Sequence, residues 1–180
     1  MSDNGVILSV RNLHKRFESK KVSVKAVTDV SFDVKQGETI GIVGESGCGK
    51  TTLGRCIVKA YDASEGEVLY TAVNGEVYDL QTIDKKTMKE IRKEIQMIFQ
   101  DPYSSLDPRM TVLDIIAEPV KANFPKMPKE EREALVMDIA GKVGLNTSYL
   151  KRYPHAFSGG QRQRIGIARA LILKPKLIVC

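Results

Sequence analysis

Eight consecutive residues carry the most definite chemistry in this sequence: Gly44-Glu45-Ser46-Gly47-Cys48-Gly49-Lys50-Thr51. Their spacing satisfies G-x-x-x-x-G-K-[ST]. In that pattern the glycines let the backbone curl so that several N–H groups converge on phosphate oxygens, and the helix that follows adds the positive end of its dipole. Lys50 supplies a point charge for β- and γ-phosphates, and the Thr51 hydroxyl is the expected Mg²⁺ ligand. The four fixed positions would coincide by accident in about one chain of this length in a hundred, so the pattern points to a phosphate cradle rather than an ordinary glycine-rich turn. Nucleotide contacts are therefore expected at Gly44, Ser46, Gly47, Cys48, Gly49, Lys50, Thr51 and Thr52. Cys48 fills a position that the pattern leaves free.

A second group of residues suits an anion. Ser158 stands where a helix N-cap belongs, followed by Gly159, Gly160 and Gln161. A serine hydroxyl and glycine N–H groups at a helix N-terminus form a site fitted to a γ-phosphate.

The flanking elements can be read from periodicity. Thr39-Ile40-Gly41-Ile42-Val43 is a continuous β-prone run, expected to be a strand buried on both faces of a parallel sheet, and it leads directly into the glycine-rich loop. Behind the loop, 51–58 is helix-compatible. Alternating runs at 6–10 and 30–34 are expected strands, as are 66–70 and 76–80, which join through the hairpin signal Asn74-Gly75. A charged helix is expected between Asp84 and Glu94, a buried strand at 95–99, and a loop over 101–109 marked by its prolines and serines. A helix beginning near Lys129 should bury Leu135, Ile139 and Val143 as one stripe, and a helix from Arg162 to Leu173 should stop at Pro175. The closing residues, 176–180, read as another buried parallel strand.

Composition narrows the field. With 180 residues and 42% hydrophobic content, one substantial core and one compact unit are expected. The formal charge of +6 comes from scattered Lys and Arg, without the clustered stripe of a nucleic-acid surface. No apolar run approaches the ~20 residues that cross a bilayer, and the first five residues do not resemble a signal peptide, so a cytosolic chain is expected. The three cysteines, Cys48, Cys56 and Cys180, have no CxxC spacing that would indicate a disulfide framework or zinc site.

A phosphate loop alone admits kinases, GTPases, helicases and transport ATPases. Phe157-Ser158-Gly159-Gly160-Gln161-Arg162-Gln163-Arg164 separates them, because it resembles the signature motif of ATP-binding cassette (ABC) ATPases, with Phe in place of the usual leading Leu. The resemblance implies an α/β fold: a P-loop NTPase (RecA-like) core, an N-terminal antiparallel β subdomain and an α-helical signature subdomain at approximately 101–165, all within one nucleotide-binding domain. It also implies that each signature meets ATP held by a second ABC ATPase subunit in a head-to-tail dimer. Gln100 looks like the family's Q-loop glutamine, a catalytic residue near Mg²⁺ and the attacking water. Phe17 stands where the family places an aromatic that stacks on adenine. The wording from Asp101 to Val112, together with Tyr153-Pro154-His155, resembles the dipeptide, oligopeptide and nickel importer ATPases. Those imply ATP and Mg²⁺ as cofactors, integral-membrane permease subunits as partners and, indirectly, an extracytoplasmic substrate-binding protein. No nucleic acid is expected, and the place of work is the inner face of the cell membrane. Tyr103, Leu106 and Met110 are candidate permease contacts.

In the family, the strand matched by 177–180 runs into the Walker B Asp and the catalytic Glu, and neither lies within these residues. The domain is thus expected to be truncated after the start of the Walker B strand, and residues 1–180 to bind nucleotide weakly with little or no turnover. His14 and His155 both precede that strand, so neither is the family's switch histidine. Two other readings remain open at this stage: a soluble ABC ATPase acting on nucleic acid or in translation, and a truncated, non-catalytic nucleotide-binding module.

Overall fold

A computed structural model describes residues 5–19, 22–101, 103 and 105–180. The expectations for the first four residues and for Pro102 and Ser104 lie outside them. The chain divides into two units, Met1–Arg92 and Lys93–Cys180.

Apolar alternation builds the first unit. Strands β1 (Val6–Glu18), β2 (Ser23–Lys35), β3 (Glu65–Thr71) and β4 (Val77–Asp79) form an antiparallel sheet in the order β2-β1-β3-β4. β1 and β2 run well beyond the short expected segments, because register shifts near Leu13 and Lys15 absorb a mismatch that alternation alone does not reveal. The Asn74-Gly75 turn joins β3 to β4 as expected, with Gly75 at φ 84 and its N–H bonded to the Ala72 carbonyl. Helix α1 (Lys50–Ile57) follows the phosphate loop, burying Leu53, Cys56 and Ile57. Burial pushes the Cys56 thiol above its ordinary pKa, as befits a packing residue. Helix α2 (Lys85–Ile91) starts at Asp84, whose carboxylate accepts from the N–H groups of Lys86 and Thr87.

The run Thr39–Val43 corrects an expectation. It is not a strand: Ile40, Ile42 and Val43 are exposed, Val43 by 95%. A β-prone run becomes a strand only when a neighbour takes its N–H and C=O groups, and the four described strands of this unit pair among themselves.

In the second unit, β5 (Ile95–Met97) pairs in parallel with β6 (Leu177–Val179), and helices α3 (Val112–Asn123), α4 (Lys129–Lys142) and α5 (Gly159–Leu171) form the remainder. Their core includes Ile115, Ile116, Val120, Val136, Ala140 and Ile165, all exposed by no more than 1%. The stripe on α4 lies one residue from the expected place. Val136 and Ala140 are fully buried, while Leu135, Ile139 and Val143 pack along the edges. Small side chains at the contact allow close helix approach, which spacing by apolarity alone misses. Phe157, standing where the signature usually has Leu, is 7% exposed and belongs to this core. Helix α5 is capped by Ser158 as expected, opens at Gly159 and ends at Leu171, two residues before the expected Leu173. No helix among the described residues is long and apolar enough to cross a membrane.

Candidate functional site

The phosphate loop is shaped by backbone constraints that its glycines alone meet. Gly47 and Gly49 have φ of +81 and +97, and a Cβ on Gly49 would lie 1.9 Å from the Ala26 carbonyl oxygen of β2. The loop is thus pressed against the sheet at its exit, where α1 begins. The first turn of α1 contains no acidic residue, so the positive end of its dipole is left for an anion. The Lys50 ammonium folds back into the loop, donating to the carbonyls of Gly44 at 2.7 Å and Glu45 at 2.6 Å, with Cys48 Sγ at 3.6 Å. These carbonyls hold the charge at the loop's centre, where phosphate oxygens would replace them as partners. Residues Gly44 to Cys48 and Thr51 are exposed, and Thr52 is half-buried.

Phe17 lies in the same unit near the end of β1, 40% exposed. Its ring meets Tyr61 edge-on, with centroids 5.6 Å apart, and the Lys15 ammonium sits 4.9 Å from its centroid. A base stacking on that face displaces the lysine. The partly open ring fits a platform, and the loop fits a triphosphate, so the donor set of this unit suits a nucleotide.

The second unit carries the other expected residues. Ser158 and Gln161 form a reciprocal capping box: Ser158 Oγ accepts from the Gln161 N–H, and Gln161 Oε1 accepts from the Ser158 N–H. The hydroxyl oxygen is thereby fixed as an acceptor while its proton stays available to an external anion. The N–H groups of Gly159 and Gly160, first in the helix, have no carbonyl one turn back. A Cβ on Gly160 would meet nothing within 4 Å and Gly160 is exposed, while one on Gly159 would meet the Tyr103 hydroxyl at 3.7 Å. Arg162 steadies this end. Its Nε donates to the carbonyls of Pro154 and Phe157 at 2.9 and 3.0 Å, and its guanidinium lies 4.3 Å from the centre of the Tyr103 ring. Arg169, two turns along, donates to the Ser105 carbonyl at 2.7 Å, and burial lowers its pKa. Two arginines of α5 therefore grip the loop that follows Gln100, and Gln100 itself is exposed.

Among the candidate permease contacts, Leu106 is 4% exposed and offers no surface, Met110 is half-buried against the core, and Tyr103 is 63% exposed. Motif reading missed Tyr61 and Arg55, since neither occupies a fixed position in a phosphate-binding pattern, and it quoted Arg162 only as part of the signature wording, without its hold on Pro154 and Phe157. Among the described residues no group of three or more His, Cys, Asp or Glu could hold a metal ion.

Residues 27–180 match the family model described as ABC transporter. The chain is 51% identical over 173 residues to the oligopeptide transport ATP-binding protein OppF of Bacillus subtilis (strain 168), covering 96% of this chain and 55% of that protein. It is 49% identical over 182 residues to the dipeptide transport ATP-binding protein DppF of Lactococcus lactis subsp. cremoris (strain MG1363), covering 99% of this chain and 57% of that one. The chain thus spans about half the length of the curated relatives it matches. Among solved structures, the dimeric post-hydrolysis state of the ATP-binding cassette MJ0796 bound to ADP and Pi superposes with a TM-score of 0.84 at 29% identity, over 96% of this chain and 72% of that one.

Proposed function

Because the chain belongs to the ABC transporter family, we propose that it is the nucleotide-binding part of the ATPase subunit that energises a peptide importer. The observation that carries this reading is the pairing of a charged phosphate loop around Lys50 with a capped, open helix N-terminus at Ser158. The names of the similar proteins, oligopeptide and dipeptide transport ATP-binding proteins, support peptides as the cargo. Residues 1–180 make up a single nucleotide-binding domain, with 101–165 as its helical subdomain.

In this reading Lys50 and the loop N–H groups, with Gly44, Ser46, Gly47, Cys48, Gly49, Thr51 and Thr52, hold the phosphates of ATP. Phe17 stacks on adenine. Thr51 and Gln100 would hold Mg²⁺, which would supply charge neutralisation at the phosphates, and Gln100 would orient the attacking water. Ser158, Gly159, Gly160 and Gln161 bind the γ-phosphate of ATP carried by a second ABC ATPase subunit. Two subunits close head to tail on the inner face of the membrane, and closure drives permease subunits fed by an extracytoplasmic substrate-binding protein. Tyr103 and the half-buried Met110 are the permease contacts in this reading, since Leu106 is buried.

No Asp or Glu follows Asp138 within these 180 residues. Residues 139–180 supply no carboxylate that could polarise water, and in this reading a polypeptide of residues 1–180 binds ATP with little turnover. Calorimetry and a phosphate-release assay on this polypeptide test both parts. ATP binding that Lys50→Ala weakens at least tenfold, with release far below ~1 s⁻¹, is the expected result. Unchanged binding in Lys50→Ala would remove the nucleotide reading, and Lys50-dependent release at ~1 s⁻¹ or faster would remove the claim of poor turnover.

A further inference from the structure

The ring assigned to adenine is braced from the helix that presents the phosphate lysine. Arg55 projects from the last turn of α1, and its Nη1 donates to Tyr61 Oη at 2.8 Å. The helix ends in a chain reversal, with Lys59 at φ 54 and the N–H groups of Ala60 and Tyr61 both returning to the Arg55 carbonyl. Tyr61 then meets Phe17 at 5.6 Å with ring planes 86° apart, a favourable edge-to-face geometry. The same segment is stitched to β1: the Ser64 N–H donates to the His14 carbonyl at 2.8 Å, and the Arg16 N–H donates to Ser64 Oγ at 2.9 Å. Tyr61 is thus tied both to the helix that carries Lys50 and to the strand that carries Phe17.

We propose that Arg55 and Tyr61 are positioning residues for nucleotide binding, fixing the place and tilt of Phe17 relative to the phosphate loop. The proposal rests on the reading of Phe17 as the adenine platform. Phe17 is 40% exposed and its cross-strand partner, Val24, is 53% exposed, so neighbours on the sheet do little to restrain the ring. A nucleotide engages loop and platform together, and the spacing between them is set by the ligand. A ring already held at that spacing loses less freedom on stacking, and the gain appears as affinity. Inorganic tripolyphosphate has no base and engages the loop alone, so it gains nothing from Tyr61. Loss of the brace should therefore be seen with ATP and not with tripolyphosphate, whereas a merely structural role for Tyr61 would affect both.

Calorimetric titration of the 180-residue chain with ATP and, separately, with inorganic tripolyphosphate tests this in Phe17→Ala, Tyr61→Leu and Tyr61→Phe. Phe17→Ala should weaken ATP about tenfold and leave tripolyphosphate unchanged, which checks the platform itself. Tyr61→Leu should weaken ATP about fivefold with tripolyphosphate unchanged, and Tyr61→Phe, which keeps the ring but loses the Arg55 hydrogen bond, about twofold. If Phe17→Ala weakens ATP while Tyr61→Leu does not, the platform stands and the brace is overturned. Equal weakening of both ligands by Tyr61→Leu also overturns it, and wild-type affinity in Tyr61→Phe removes Arg55 from the proposal. Wild-type ATP affinity in Phe17→Ala overturns the platform and the brace together.

Discussion

At Gly49 the demands of binding and folding fall on one atom. Its φ of +97 admits glycine readily, and the Ala26 carbonyl oxygen occupies the place of a side chain. Gly47, two residues earlier, shares a positive φ of +81 but has nothing within 4 Å of a built Cβ. The two substitutions should therefore separate strain from collision. Gly47→Ala is expected to cost about 1 kcal/mol, whereas Gly49→Ala should cost about 2 kcal/mol or more and displace the loop. Urea denaturation of both variants reads the difference; equal costs would mean that the sheet yields at Ala26. At this scale the sequence was legible where a motif fixes residue type and spacing, as from Gly44 to Thr51 and from Ser158 to Gln161. Tyr61, Arg55 and the partners of Arg162 were not legible, because those contacts lie along paths set by a chain reversal and a loop rather than by periodicity.

Helix α3 shows what an element owes to its first turn. Thr111 caps it, accepting from the Asp114 N–H at 3.2 Å and donating its hydroxyl to Asp114 Oδ2 at 2.6 Å, while Lys121 reaches Asp114 Oδ1 at 2.6 Å. The hydrogen bond from Lys121, followed by that from Thr111, holds the Asp114 carboxyl below its ordinary value of 3.8. A carboxyl depressed in the folded state stabilises fully above its unfolded pKa and loses that contribution as pH falls through its folded value. Both groups of the ion pair are about 40% exposed, so solvent screening keeps the contribution small. Asp114→Asn should cost about 0.5 kcal/mol at pH 7, with the gap to wild type closing as pH drops below about 4. Stability measured by denaturation across pH 2–8 checks this, and a gap independent of pH would assign the cost to the cap geometry instead of the charge. Element types were largely legible from period and caps, while two details were not. Thr39–Val43 has strand composition but no strand partner, and α4 buries Val136 and Ala140 because close packing favours the smaller residues over the expected stripe.

For the whole molecule, the antiparallel sheet leads to the phosphate loop and the helical unit carries the signature cap, and in the proposed function each of them supplies half of an ATP site that a second subunit completes. Family membership follows from the match over residues 27–180, and the composite site is what the importer reading adds. The most direct measurement is sedimentation of two variants in ATP, Lys50→Ala and Ser158→Arg, alone and mixed in equal amounts. In a head-to-tail pair each variant alone spoils both sites, one through the loop and the other through the signature. The mixture rebuilds one intact site from the loop of the Ser158→Arg copy and the signature of the Lys50→Ala copy. The account predicts an ATP-dependent dimer in wild type and in the mixture, and monomers for each variant alone. A wild-type dimer that the mixture fails to restore, or that either variant forms unaided, would contradict it.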